Sequence, residues 1–146
     1  MSSSAILLVA RVLLAFMFIA AGLQKFGSIE GTAGYIASVS LPAPTLLAWA
    51  AAIFETLAGI AILIGFQTRA AAALLALFCA FTAFWFHFGP INNPEFPEAA
   101  NGMLSMMNQL IFMKNLTIAG GFLALVASGA GAWSVDARRG AAGPLA

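Results

Sequence analysis

Charge is scarce in this sequence. Only 8% of its 146 residues are charged and 62% are hydrophobic, with a mean hydropathy of +1.00. Water-soluble domains carry roughly 25% charged residues. So few cannot coat a protein surface against water, so lipid must surround most of this one. A net charge of +1 also lacks the basic excess of a nucleic-acid binder, so no nucleic acid is expected as a partner. Cys79 is the single cysteine, which excludes an intramolecular disulfide, a dithiol relay and a cysteine-rich metal centre. Set in a run of Ala, Leu and Phe, it reads as a small buried apolar residue. There is no Gly-rich phosphate loop, nucleophile elbow or paired metal-binding histidine. No metal is expected. The thioethers of Met103, Met106, Met107 and Met113 suit flexible apolar filling better than copper.

Long apolar runs are what the sequence does have. They cover about 5–26, 45–66, 70–88 and 115–133. Each approaches the ~20 residues that a helix needs to cross ~30 Å of hydrocarbon. Backbone polar groups in lipid must pair within their own segment, so each run is expected to be a helix. The fold class is therefore an all-α membrane protein, a bundle of four transmembrane helices forming one domain over 1–146. The first run is read as a span rather than a cleaved leader, because no basic residue precedes Arg11 and the run is long for a leader. The segment 27–44 reads as a loop, and Gln67-Thr68-Arg69 as a tight turn after Gly65. In the segment 89–114 the second half, 99–113, turns apolar again and reads as a short interfacial helix.

Four crossings place both ends on one side, with Arg69, Arg138 and Arg139. The excess of arginine makes that side cytoplasmic. Lys25, Lys114, Glu30, Glu95 and Glu98 fall on the other, and Trp49, Trp85 and Trp133 sit where interfacial anchors belong.

Small residues at helical spacing, such as Ala73, Ala76, Ala80 and Ala83, read as packing surfaces. Ionisable residues within the runs carry more information, because a charge near the bilayer centre costs at least ~2.5–3.5 kcal/mol. Glu55 lies deepest, about 15 Å from either end of its run at ~1.5 Å per residue. A carboxylate there is either neutral or matched by a cation. Arg11 is nearer in depth, at roughly 7 Å, which makes Arg11–Glu55 the first expectation for a helix-orienting ion pair. Helical side chains lean toward their own N-terminus, which favours Lys25 reaching down to Glu55, while Arg11 could snorkel to the headgroups. His87, Lys114 and Asn115 join Lys25 and Glu55 as a candidate polar site at the outer mouth, with Trp85 and Phe88 as walls. An apolar cavity with a few polar groups suits an amphiphile such as a quinone, and His87 can exchange a proton near neutral pH.

These residues resemble the DoxX family of small bacterial membrane proteins. The likeness rests on Arg11, on Ala21-Gly22-Leu23-Gln24-Lys25-Phe26, and on Glu55-x-x-x-Gly59 leading to Gly65-Phe66-Gln67-Thr68-Arg69. It continues through Phe86-His87-Phe88, Phe112-Met113-Lys114-Asn115-Leu116, Gly120-Gly121, Gly129-x-Gly131 and Ser134-Val135-Asp136. The segment 91–107 departs from it. The resemblance implies a four-helix protein of the bacterial inner membrane, with Arg11, Lys25, Glu55, Arg69, His87, Lys114 and Asn115 at the family's polar positions. It also implies links to quinone-dependent redox chemistry, redox stress or aromatic compounds.

Three functions fit: a quinone-linked oxidoreductase component or membrane subunit, a small proton-coupled transporter or channel subunit, and a membrane anchor for a soluble enzyme. The partners that these call for are the bilayer, a soluble or membrane redox partner, and a second copy of the chain in a homo-oligomer. No haem ligand pair, flavin fingerprint or dithiol is present in the sequence, so the first reading takes its electrons from a partner or from substrate.

Overall fold

A computed structural model describes residues 3–140. The chain forms six helices among these residues: α1 (Ser3–Gly27), α2 (Ile29–Ser38), α3 (Pro44–Ile64), α4 (Thr68–Phe86), α5 (Glu98–Ser128) and the single turn α6 (Val135–Arg138). Four of them, α1, α3, α4 and α5, are long and apolar enough to cross a membrane. The all-α architecture and its four spans agree with the hydropathy pattern.

Two boundaries differ from expectation. The segment 27–44 is not a plain loop, because α2 occupies 29–38. The fourth span is not 115–133: it is the end of a continuous helix, 98–128, which absorbs the apolar stretch 99–113 and stops at Gly129. At ~1.5 Å per residue α5 is roughly 46 Å long, more than ~30 Å of hydrocarbon requires. Its surplus turns stitch down the preceding loop. Asn101, Ser105 and Asn108 recur at helical spacing, so they share one face. Asn101 accepts from the Asn93 N–H and donates to the Asn93 carbonyl, both at 2.9 Å. Ser105 exchanges hydrogen bonds of 2.9 and 3.1 Å with the backbone of Ile91.

The bundle consists of two tight pairs, α1 with α3 and α4 with α5. Small residues let α1 and α3 touch backbone to backbone. A Cβ added at Gly22 would meet Thr56 Oγ1 and lie 2.9 Å from the Ala52 carbonyl oxygen. One added at Gly59 would lie 3.1 Å from the Ile19 nitrogen and 3.3 Å from the Ala15 oxygen. The pairs join over a core that includes Ala15, Phe18, Leu75, Phe122 and Leu125, where Phe18 and Phe122 meet edge to face at 5.3 Å.

The end of α3 and the start of α4 are closed by the segment after α5. Gly65 ends α3 with φ +69°, and Gly129 and Gly131, also at positive φ, turn the chain back across the helix ends. Asp136 then acts as a cap borrowed from a distant part of the chain. Its carboxylate accepts from the Gln67 and Thr68 N–H groups at 2.8 and 2.9 Å and from the Thr68 hydroxyl at 2.8 Å. The first N–H groups of α4 would otherwise be orphaned, since Gln67 makes no side-chain cap.

The α1–α3 contact yields a direct test. Gly22→Val is expected to cost more than the ~1–3 kcal/mol of ordinary overpacking, because the obstruction is backbone, and to lower the melting temperature in detergent. Gly121→Ala, whose Cβ would stand 3.6 Å from Leu14, should melt close to the parent. Equal melting of the two variants would contradict the close approach.

Candidate functional site

The α1–α3 register decides which charges meet. Gly22 faces residues 52–56, Gly59 faces 15–19, and Gly65 faces Arg11. Arg11 therefore lies level with the end of α3. That is ten residues from Glu55, or roughly 15 Å at ~1.5 Å per residue. The expected Arg11–Glu55 pair does not form. Lys25 sits about one turn from Glu55 and leans back toward it, as helical side chains do. Its Nζ donates to Glu55 Oε2 at 2.7 Å, in a pair whose side chains are 26% and 5% exposed.

Arg11 serves the opposite end. It is 1% exposed, and its Nη2 donates to the Trp133 carbonyl at 2.7 Å. Gly65 leaves the space that its guanidinium fills. Asp136 is the negative charge acting on it, and that attraction works against the cost of Nε and Nη1, which have no hydrogen-bond partner among the described residues. Arg11 is thus a clamp between α1 and the 129–138 segment.

Above the core, in the half of the bundle that contains Lys25, the two helix pairs part around a cavity of about 710 Å³. Ligand pockets run from roughly 300 to 1,000 Å³. Its walls are mainly apolar and aromatic, with Phe18 from α1, Phe54 from α3, and Phe78, Phe81 and Phe86 from α4. Helix α2 covers one side with Thr32, Tyr35 and Ile36, held by Ala33, Ile36 and Ala48 packing together. The Tyr35 ring lies 5.5 Å from that of Phe86 and 6.5 Å from that of His87.

Four of the five residues proposed from sequence as one polar site line this cavity: Lys25, Glu55, His87 and Asn115. Lys114 does not, and is exposed. One residue is a ~100° step around a helix, so when Asn115 turns inward Lys114 turns away. Asn115 Nδ2 lies 3.3 Å from the Thr82 hydroxyl. Cys79 is free, buried, and at the cavity wall. Among the described residues no group of three or more His, Cys, Asp or Glu side chains gathers as a metal site would require.

Two participants were not singled out from sequence. Tyr35 lay in a segment read as loop. Asn108 directly follows the departing segment 91–107, and its spacing from Asn101 and Ser105 was a usable signal. Asn108 Oδ1 lies 2.9 Å from His87 Nδ1, and its Nδ2 donates to the His87 and Gly89 carbonyls at 3.2 and 3.0 Å.

The ion pair can be tested by a double-substitution cycle. Lys25→Met strands a buried carboxylate and should cost about 3–5 kcal/mol. Glu55→Met should cost less, since Lys25 is a quarter exposed and can turn outward. The double variant should regain most of the loss, and simple additivity would show that the two do not interact.

Tyr35 is half exposed, and its partial burial on the cavity side pushes the phenol above the ordinary tyrosine range. Tyr35 is the single tyrosine, so tyrosinate absorption reports it alone. Its titration should lie above the ordinary value of about 10, and a midpoint at or below that would refute the partial desolvation. The folded state then holds this proton more tightly than the unfolded state. The associated stability is complete below about pH 10 and fades as pH rises through the folded value.

Comparison with known proteins places this geometry in a family. Residues 6–88 match the DoxX family model, a stretch that contains the α1–α3 contact, the ion pair and His87. Inner membrane protein YqjF of Escherichia coli K12 is 40% identical over 132 residues, 88% of each chain. Inner membrane protein YphA of the same organism is 36% identical over 138 residues, 91% of this chain and 89% of that one. A Bacillus subtilis protein named "Putative oxidoreductase CatD" is 34% identical over 70 residues, 48% of this chain and 51% of that one. No solved structure matches. By a family model that spans more than half of the sequence, and by relatives similar along most of it, this chain is a member of the DoxX family.

Proposed function

We propose that this protein binds an aromatic amphiphile of the quinone class within the bilayer, as the membrane component of a redox system. One observation carries the reading: the aromatic-walled cavity between the helix pairs holds a part-buried ion pair at its polar end. An ion pair in an apolar chamber is costly to build if the helices only need to pack. It supplies a ligand with one fixed donor and one fixed acceptor. Phe54, Phe78, Phe81 and Phe86 offer faces and edges for a ring, which prefers offset or edge-on contact with aromatics. Lys25 Nζ has hydrogens beyond the one given to Glu55 and can donate to a ring oxygen. Thr82, His87 and Asn115 are polar groups from the facing pair of helices.

A bound quinone would supply the two-electron chemistry. The chain's own residues position its oxygens, exclude water and handle protons. The name of the partial Bacillus subtilis relative is consistent with such a role. The proposed setting is the inner membrane, the location named for the two Escherichia coli relatives. The end that carries Arg69, Arg138 and Arg139 faces the cytoplasm, by the excess of arginine. The cavity then lies in the outer half.

Protein purified from membranes in mild detergent should retain a quinone-class ligand, quinone and quinol counted together, measured by anaerobic extraction and chromatography. Lys25→Ala and His87→Ala should each lower retention about tenfold, the loss of one good hydrogen bond in a dry site. Retention at the parent level in both variants, with both folded, would overturn the reading.

A further inference from the structure

The hydrogen bonds around His87 define which form of a ligand its ring can accept. Asn108 is buried, and both hydrogens of its amide nitrogen are committed, one to the His87 carbonyl at 3.2 Å and one to the Gly89 carbonyl at 3.0 Å. Turning the amide over would set its oxygen against two carbonyl oxygens, three acceptors with no proton among them. The amide orientation is therefore determined by its partners. Its oxygen, Oδ1, is left facing His87 Nδ1 at 2.9 Å. An amide oxygen only accepts, so Nδ1 must carry the hydrogen. In a neutral imidazole the other nitrogen, Nε2, is then a bare acceptor. Among the described residues Nε2 has no hydrogen-bond donor, and His87 lines the cavity.

We infer that the cavity selects the hydroxyl-bearing, reduced form of its aromatic ligand, with the hydroxyl donating to His87 Nε2. The inference rests on the quinone-class reading and makes it more specific. Neutral His87 cannot donate to a quinone carbonyl. It accepts from an aromatic hydroxyl and is placed to take up that proton. Asn108 is a positioning residue that acts through the ring. Lys25 is indifferent to the choice, since its ammonium can donate to a hydroxyl oxygen or to a carbonyl oxygen. Discrimination therefore comes from the α4–α5 side of the cavity.

The sequence holds one histidine, so ¹⁵N-histidine labelling reports this ring alone. In buffer of about pH 8, where free imidazole is neutral, the nitrogen shifts should show Nδ1 protonated and Nε2 bare. Asn108→Leu should shift the balance toward the Nε2-protonated tautomer that predominates in free histidine. In parallel, anaerobic equilibrium dialysis of the full protein would compare duroquinol with duroquinone. The quinol should bind about tenfold more tightly, the factor expected when a ring acceptor gains a donor rather than facing a carbonyl. His87→Gln, which can donate or accept, should bring the two affinities together. Binding of both probes with equal affinity, tighter binding of the quinone, or a protonated Nε2 in the parent protein would overturn this inference and leave the quinone-class reading standing. Failure of both probes to bind would overturn both.

Discussion

The polar chemistry of this protein depends on how closely α1 lies against α3. Gly22 and Gly59 let the two backbones touch, and a contact that tight permits one register. In that register Lys25 falls beside Glu55, and Arg11 falls beside Gly65 at the end of α3. Small residues are the usual means of close approach in lipid, where there is no hydrophobic force between helices and packing must supply the attraction. Here the same residues also assign partners to the buried charges. Sliding the helices by one turn would move Lys25 about 5.4 Å and leave a carboxylate unpaired in the interior.

The two ends of the bundle are built for different purposes. At the Arg11 end, a backbone carbonyl, a buried guanidinium and the Asp136 cap bind the 129–138 segment to α1 and to the α3–α4 turn. The core between the two ends includes Phe18, Leu75 and Phe122. At the Lys25 end the helix pairs diverge, and α2 with Leu41 and Pro42 of the following loop borders the space between them. The loop before α5 is held by the Asn101, Ser105 and Asn108 stripe of α5. A base tied together by hydrogen bonds and a mainly apolar chamber holding one ion pair distinguish the two ends.

Hydropathy was sufficient for the spans, because a helix in lipid must satisfy its own backbone and must be long enough to cross. It misread α5, because an apolar run and a run interrupted by Asn and Ser are both compatible with helix once the polar groups find partners. Asn101, Ser105 and Asn108 find theirs in the preceding loop. Lys25, Glu55, His87 and Asn115 were legible as a group because ionisable and amide side chains inside apolar helices are costly and stand out. Lys114 was grouped with them by sequence position, and helical phase turned it outward.

The sequence by itself determined the solvent, the four spanning helices, the family, and a short roster of polar residues, since each follows from composition, run length or local pattern. Partnership was decided only by the tertiary structure. Arg11 and Lys25 are both cations on one helix face, and estimates of depth ranked them in the wrong order. Depth was measured from assumed helix ends, whereas the real register comes from glycine contacts between residues 22 and 52–56. The orientation of the His87 ring was equally invisible, because it depends on an amide 21 residues away whose own hydrogens are committed to two backbone carbonyls.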